Sequence, residues 1–90
     1  GKTKLIFKVT WNEEGNFFSF DLFDSEGNPI IYGRKITYGT NMLKNLTDNR
    51  LPPLEIYPFD KSGVAAQIGI TFDNFMESVK PYIKVVDNND

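Results

Sequence analysis

Carboxylate and amide side chains alternate in the sequence DSEGN, which runs from Asp24 to Asn28. Oxygen ligands at alternate positions are typical of the start of a calcium-binding loop. That loop, however, needs a glycine after its first three ligand positions and a bidentate glutamate at its twelfth position. Gly27 is the fourth residue of this stretch, and the twelfth is Lys35. We therefore interpret DSEGN as a turn, in which the Asp24 carboxylate caps the backbone and Gly27 takes a positive φ. The later stretch DKSG is interpreted in the same way.

Acid–base and metal chemistry have few candidate residues in this chain. The 90 residues include neither cysteine nor histidine, so disulfides, thiolate nucleophiles and imidazole bases are excluded. Two carboxylate pairs remain, Glu13 with Glu14 in a turn and Asp21 with Asp24 at a strand end. Neither pair lies beside an obvious nucleophile, and exposed carboxylates are usually solvated. We expect no enzyme, no catalytic residue, no metal site and no cofactor.

Basic and aromatic residues are interleaved in YGRKITY, which contains Tyr32, Arg34, Lys35 and Tyr38. Such interleaving is typical of surfaces that bind single-stranded nucleic acid. The formal net charge is −2, however, and the ten basic residues are scattered along the chain. Because binding to a polyanion needs clustered Lys and Arg, we do not expect a nucleic-acid partner. We expect no membrane partner either, since no stretch approaches the ~20 apolar residues of a membrane span.

Three strands separated by tight turns are predicted in the first half of the chain. Apolar and polar residues alternate in KLIFKVTW, which is typical of a strand with one buried face. FFSFDLF and PIIYGRKITY follow, and the turn sequences NEEGN and DSEGN separate the three segments. We therefore predict strands over residues 4–11, 17–23 and 29–38. Gly33 interrupts the third strand and predicts a bulge or a sharp bend there.

The second half of the chain has mixed patterns. Met42, Leu43 and Leu46 share one face at helical spacing in TNMLKNL, and a similar spacing in TFDNFMESV ends before Pro81. The segment VAAQIGI has no clear pattern. The predicted elements are a short helix over 40–46, a strand over 54–59, a helical turn over 71–79 and a last strand over 82–86.

This order of elements predicts a mainly β protein. Three strands in a meander, a short helix between strands 3 and 4, and closing strands are the chain order of a small Greek-key barrel of five or six strands, as in the OB-fold. Residues 1–86 are expected to form a single β-barrel domain, and residues 87–90 a frayed, acidic C-terminal tail.

Two phenylalanines are predicted on the outer face of the second strand. Phe18, Phe20 and Leu22 are expected to point inward, which leaves Phe17 and Phe23 beside polar residues on the other face. They belong either to a second layer of the core or to a surface that contacts another subunit, because exposed aromatic patches mark interfaces. With Tyr32 and Tyr38 on the third strand, Phe17 and Phe23 are the candidate protein-contact residues.

The order of residues resembles the small OB-like plug domain of bacteriophage tail baseplates. That family opens with a strand ending in a Trp–Asn step, continues through a D-x-x-G turn and a glycine-flanked strand, and then has a short Leu-containing helix. A Leu–Pro segment, an L-x-I strand and a T-x-x-N-F turn complete its pattern. The matching residues here are Trp11–Asn12, Asp21, Asp24 with Gly27, Gly33 with Ile36 and Gly39, Leu43, Leu51–Pro52, Leu54 with Ile56, and Thr71 with Asn74–Phe75.

The resemblance implies a structural protein that connects or closes other parts of a tail. We expect a component of a phage or prophage tail, a baseplate or tail-tip plug or adaptor that acts by protein–protein contacts. Its expected partners are other tail and baseplate proteins and further copies of itself in the assembly. Its expected location is the virion tail, or the bacterial cytoplasm before assembly. The alternative left open is an OB-fold module that binds single-stranded nucleic acid or an oligosaccharide.

Overall fold

The computed structural model describes residues 4–86, and the predicted frayed tail at 87–90 lies outside them. The protein is mainly β, as predicted, with five strands and one short helix in the described range. In chain order these elements are β1 (Ile6–Asn12), β2 (Phe17–Phe23), β3 (Pro29–Lys35), β4 (Leu54–Phe59), α1 (Ala65–Ile68) and β5 (Lys80–Val85).

The first sheet is the predicted antiparallel meander, in the order β1-β2-β3. β1 and β2 pair without interruption from Ile6 opposite Phe23 to Asn12 opposite Phe17. The alternation in β2 is confirmed, because Phe20 and Leu22 are buried in the core. The opposite side of β2 therefore forms the outer face of this sheet.

A bulge at Gly33 bends β3, as predicted. The pairing of β2 with β3 shifts register between Phe20 opposite Arg34 and Leu22 opposite Ile31, so Asp21 faces two residues of β3. Gly33 has a φ of 65°, which L side chains rarely adopt. Its N–H donates to the Asp21 carboxylate at 2.8 Å, so the amide displaced from the ladder keeps a hydrogen bond.

The second sheet contains two antiparallel strands, β4 and β5, paired from Leu54 opposite Val85 to Phe59 opposite Lys80. β5 begins two residues before the predicted strand and includes Pro81. The strand tolerates this proline because it lies opposite Pro58. Neither proline has an N–H, so the pair falls at a position of the antiparallel ladder that exchanges no hydrogen bonds.

The predicted helix between strands 3 and 4 is wrong. Residues 40–46 form turns, and the only helix of the described range, α1, lies between β4 and β5 in the segment VAAQIGI. The backbone of this segment makes only i→i−3 bonds within itself, from Lys44 to Asn41 and from Leu46 to Leu43, and it also binds β4. The Gly39 N–H donates to the Pro58 carbonyl at 2.8 Å and the Met42 N–H to the Ile56 carbonyl at 2.7 Å. Asn45 then has a φ of 63°, which ends any helical run.

The helical turn predicted over residues 71–79 is likewise a series of turns. The Asn74 carbonyl accepts hydrogen bonds from the N–H groups of Glu77, Ser78 and Val79 at 3.0–3.1 Å, and Met76 has a φ of 69°. Thr71 and Asn74 each bind the backbone N–H of the other through their side chains, at 3.1 and 2.8 Å. These side-chain bonds close a compact turn where a helix would need successive i→i−4 bonds.

The core lies between the inner face of the first sheet and the strand β4, with the turn segment over it. Its buried members are Phe20, Leu22, Ile36, Met42, Leu43 and Ile56. The predicted closed barrel is not confirmed, because residues 4–86 pair as two separate sheets.

Candidate protein-contact surfaces

The sequence DSEGN is a turn, as predicted, and it anchors the loop between β3 and β4. Asp24 accepts hydrogen bonds from the N–H groups of Glu26 and Asn28 at 3.0 and 2.9 Å. The Arg50 guanidinium binds the other Asp24 oxygen at 3.0 Å and the Pro29 carbonyl at 3.2 Å. Arg50 thereby joins the loop between β3 and β4 to the first residue of β3.

Arg50 also forms a bidentate pair with Asp48, with bonds of 2.6 and 2.9 Å. This hydrogen bonding lowers the pKa of the Asp48 carboxyl to about 2. The pKa of Asp24 is also lowered, first by the backbone hydrogen bond from Asn28 and then by Arg50. Each shift follows from bonds that favour the ionised carboxylate, so these acids have a structural role.

The two candidate contact residues at one end of the first sheet are in contact with each other. The rings of Phe23 and Tyr32 meet edge to face, with centroids 6.0 Å apart. Tyr32 is 66% exposed, and Ile6, which lies opposite Phe23 in the sheet, is also exposed. These three residues form an apolar patch on the outer face, which we call the outer patch.

Phe17 and Tyr38 lie in other surroundings. The Lys35 ammonium lies 5.0 Å from the centroid of the Phe17 ring, and a Cβ placed at Gly15 would overlap that ring. Tyr38 stacks on Phe59 with centroids 5.8 Å apart, and its hydroxyl accepts a hydrogen bond from the Asp60 N–H at 3.1 Å. Both rings are half-buried by these neighbours. The contacts of the four predicted residues thus form three separate groups.

A larger apolar surface, which sequence reasoning missed, lies between the first sheet and β5. It is a cavity of about 530 Å³ whose lining residues are all apolar. The strands contribute Phe7, Val9, Phe18, Ile56, Pro81 and Ile83, and the turns contribute Met42, Phe75 and Met76. We call this surface the apolar groove.

The apolar groove is open to solvent along β5. Ile83 is 65% exposed although its side chain lines the groove, and every residue of β5 is exposed. Beyond the groove lining, the exposed ring of Phe72 meets Trp11 at 5.3 Å and Phe18 at 6.2 Å between centroids. The feature of the sequence that could have revealed this groove is the alternation in YIKVV. It places Ile83 and Val85 on one face of the last strand, and no element was predicted to cover that face.

Within residues 4–86, no three or more acidic residues lie close enough together to hold a metal ion. No helix in this range is long and apolar enough to cross a membrane.

Comparison with known proteins gives one family. No curated protein and no solved structure matched the chain. A family model described as "Cyanophage baseplate Pam3 plug gp18" matches residues 1–86, which is nearly the whole sequence. The match confirms the resemblance to baseplate plug domains, and the chain belongs to the cyanophage baseplate Pam3 plug gp18 family.

Proposed function

We propose that this protein is a structural component of a phage tail, in which it serves as a baseplate plug or adaptor and acts by binding other baseplate proteins. The family match over residues 1–86 is the observation that carries this proposal. The apolar surfaces support the mode of action, because large exposed apolar patches on small proteins mark sites of protein contact. The proposed location is the virion tail, after synthesis in the bacterial cytoplasm.

The outer patch is one proposed contact surface. Phe23 and Tyr32 offer two rings in a fixed edge-to-face arrangement, and aromatic residues are enriched at interface centres. Phe17 and Tyr38 stay in the proposal as separate contact residues outside the outer patch, since their neighbours leave each ring half-exposed. Copies of the chain that meet around the tail axis would use such surfaces in a ring closed by rotation.

The proposal is tested in the phage or prophage that encodes the chain. We expect deletion of its gene to give particles with defective tail tips, and expression of the intact chain in trans to restore them. Antibody against the chain should label the tail end in electron micrographs. Infectious particles of normal morphology from the deletion strain, with no label on wild-type tails, would contradict the proposal.

A matched pair of variants tests the outer patch. Tyr32→Ser removes an exposed ring and Tyr82→Ser removes a ring from β5, outside the outer patch. We expect both variants to fold, as judged by circular dichroism, and only Tyr32→Ser to reduce incorporation into tails. Equal incorporation of the two variants would show that the outer patch is not a contact.

A further inference from the structure

We propose that the apolar groove receives an extended segment of another baseplate protein, which adds as a strand to the free edge of β1. The inference rests on the proposed function, since it names the partner chemistry of a baseplate contact. The expected segment has apolar residues at alternate positions and acidic residues between them.

The backbone of β1 has unused hydrogen-bonding groups on one side. Within residues 4–86, β1 pairs with β2 alone. The Ile36 N–H donates to the Phe18 carbonyl at 2.8 Å, so the backbone polar groups of Phe18 point toward β3 and away from β1. Trp11, which lies opposite Phe18, must then direct its own N–H and C=O away from β2. By the alternation of an antiparallel ladder, Phe7 and Val9 do the same.

Two of these three residues also have side chains that line the groove. Phe7 and Val9 lie in the groove wall, and Val9 is exposed. A strand added to this edge would place every second side chain on the same side as Phe7 and Val9. Those side chains would enter a cavity with an entirely apolar lining, which explains why apolar residues are expected at alternate positions.

The other free edge is a poorer template for strand addition. β5 also has one partner strand in the described range, but Pro81 has no N–H to donate from it. In contrast, β1 contains seven residues without a proline. We therefore assign the added strand to β1 and regard β5, through Ile83 and Pro81, as the opposite wall of the groove.

The charges beside the groove favour an acidic partner over a second copy of this chain. The outer face of β1 carries Lys8, whereas Lys80 and Lys84 alternate with the groove-lining Pro81 and Ile83 and so lie on the other face of β5. Acidic residues of an added strand would lie beside Lys8, and opposite charges on neighbouring strands are favourable. Pairing of β1 with β1 of a second copy would instead bring two lysine-bearing edges together, and lysine on an edge strand disfavours such self-pairing.

The test uses the purified chain and a synthetic peptide of about ten residues in which valine and glutamate alternate. This length is within the range of natural strands and is enough to pair with all seven residues of β1. Fluorescence of Trp11, the single tryptophan, reports binding because its ring contacts Phe18 beside the groove. One control peptide contains the same residues arranged in two blocks. A second control peptide has lysine in place of glutamate. We expect the alternating acidic peptide to bind at least about tenfold more tightly than either control.

Matched variants locate the bound peptide. Val9→Glu places a negative charge in the groove, whereas Tyr32→Glu places the same charge on the outer patch, and both wild-type residues are exposed. We expect Val9→Glu to weaken binding by about tenfold or more and Tyr32→Glu to leave it nearly unchanged, provided that thermal melts show both variants folded. Equal binding of the three peptides, or equal effects of the two variants, would overturn the proposal.

Photocrosslinking from position 9 in purified tails distinguishes this inference from the proposed function. Incorporation of the labelled chain into tails tests the function. A crosslink from Val9 to an extended apolar–acidic segment of another tail protein supports the inference. A chain that incorporates but crosslinks at this position to a second copy, or to nothing, contradicts the inference and leaves the function standing. If the chain does not incorporate, the peptide measurements decide the inference alone.

Discussion

The β3–β4 side and the β1–β5 side of this protein differ in how their strand edges are covered. On the β3–β4 side, the loop 36–53 binds both edges: Arg50 reaches the Pro29 carbonyl, and the Gly39 and Met42 N–H groups reach β4. On the β1–β5 side, neither strand has a second partner within residues 4–86, and an open apolar groove lies between them.

We expect the covered side to be the one needed for folding and the open side to be the one that the proposed partner would bind. Buried side chains and satisfied backbone groups stabilise the native state of the isolated chain. Exposed apolar side chains such as that of Ile83 contribute little to that stability, and they form a surface prone to association. We therefore expect substitutions of buried residues on the β3–β4 side to reduce stability and substitutions of exposed groove residues on the β1–β5 side, such as Val9 and Ile83, to affect assembly.

The largest expected contrast is between two isoleucines that lie opposite each other in the second sheet. Ile56 is 7% exposed and packs in the core, whereas Ile83 is 65% exposed. Ile56→Ala should lower the free energy of unfolding by about 2–4 kcal/mol, because it removes buried methyl groups and leaves a cavity. Ile83→Ala should lower it by less than about 1 kcal/mol. Urea unfolding measures both, and equal losses would contradict the division into two sides.

A smaller loss is expected from the side chain that joins the turn segment to β4. The Asn41 Oδ1 atom accepts hydrogen bonds from the Ile56 N–H at 2.9 Å and the Leu43 N–H at 3.1 Å. Asn41→Ala leaves both donors without this partner and should lower the free energy of unfolding by about 1–3 kcal/mol. The control Asn49→Ala changes an exposed asparagine in the same loop. A loss no larger than that of the control would show that the Asn41 side chain does not hold the turn segment on β4.

Much of the β3–β4 side could be predicted from local sequence, but the structure of the loop that connects β3 to β4 could not. The alternation in β2 predicts the burial of Phe20 and Leu22, and Gly33 predicts the bulge. The helix prediction failed because Met42 and Asn41 bind Ile56, a residue far along the chain, and spacing alone carries no information about that contact. Tertiary bonds of this kind override the local preference of a segment of about two turns.

The β1–β5 side was the less predictable region. Residues in β1 and β5 could each be assigned to a strand, but the groove depends on how the two sheets face each other. The outer aromatics were predicted as one set, yet Tyr38 contacts Phe59 on β4 whereas Phe23 contacts Tyr32 on β3. Strand assignment gives the face of a residue within its own sheet, and it does not give the position of that face relative to the other sheet.

The smallest expected effect is a pH dependence on the β3–β4 side. Because the pKa of Asp48 is lowered from 3.8 to about 2 in the folded state, its ionised carboxylate stabilises the protein at pH values above about 4. That contribution is lost as the pH falls toward 2. Arg50→Met removes the partner that causes most of the shift in the Asp48 pKa. The melting temperature of this variant should therefore fall less steeply than that of the wild type between pH 4 and 2. Parallel curves would contradict a stabilising role for this pair, whose guanidinium is partly exposed.

Amide hydrogen exchange along β1 tests the central claim most directly. The claim is that one side of this strand is unpaired in the isolated chain and becomes paired in the assembled baseplate. In the isolated chain, the amides of Phe7, Val9 and Trp11 should exchange faster than those of Lys8 and Thr10, which donate to β2. In purified tails, the first group should become as slow as the second. Uniform protection along β1 in the isolated chain, or an unchanged alternation in tails, would contradict the account.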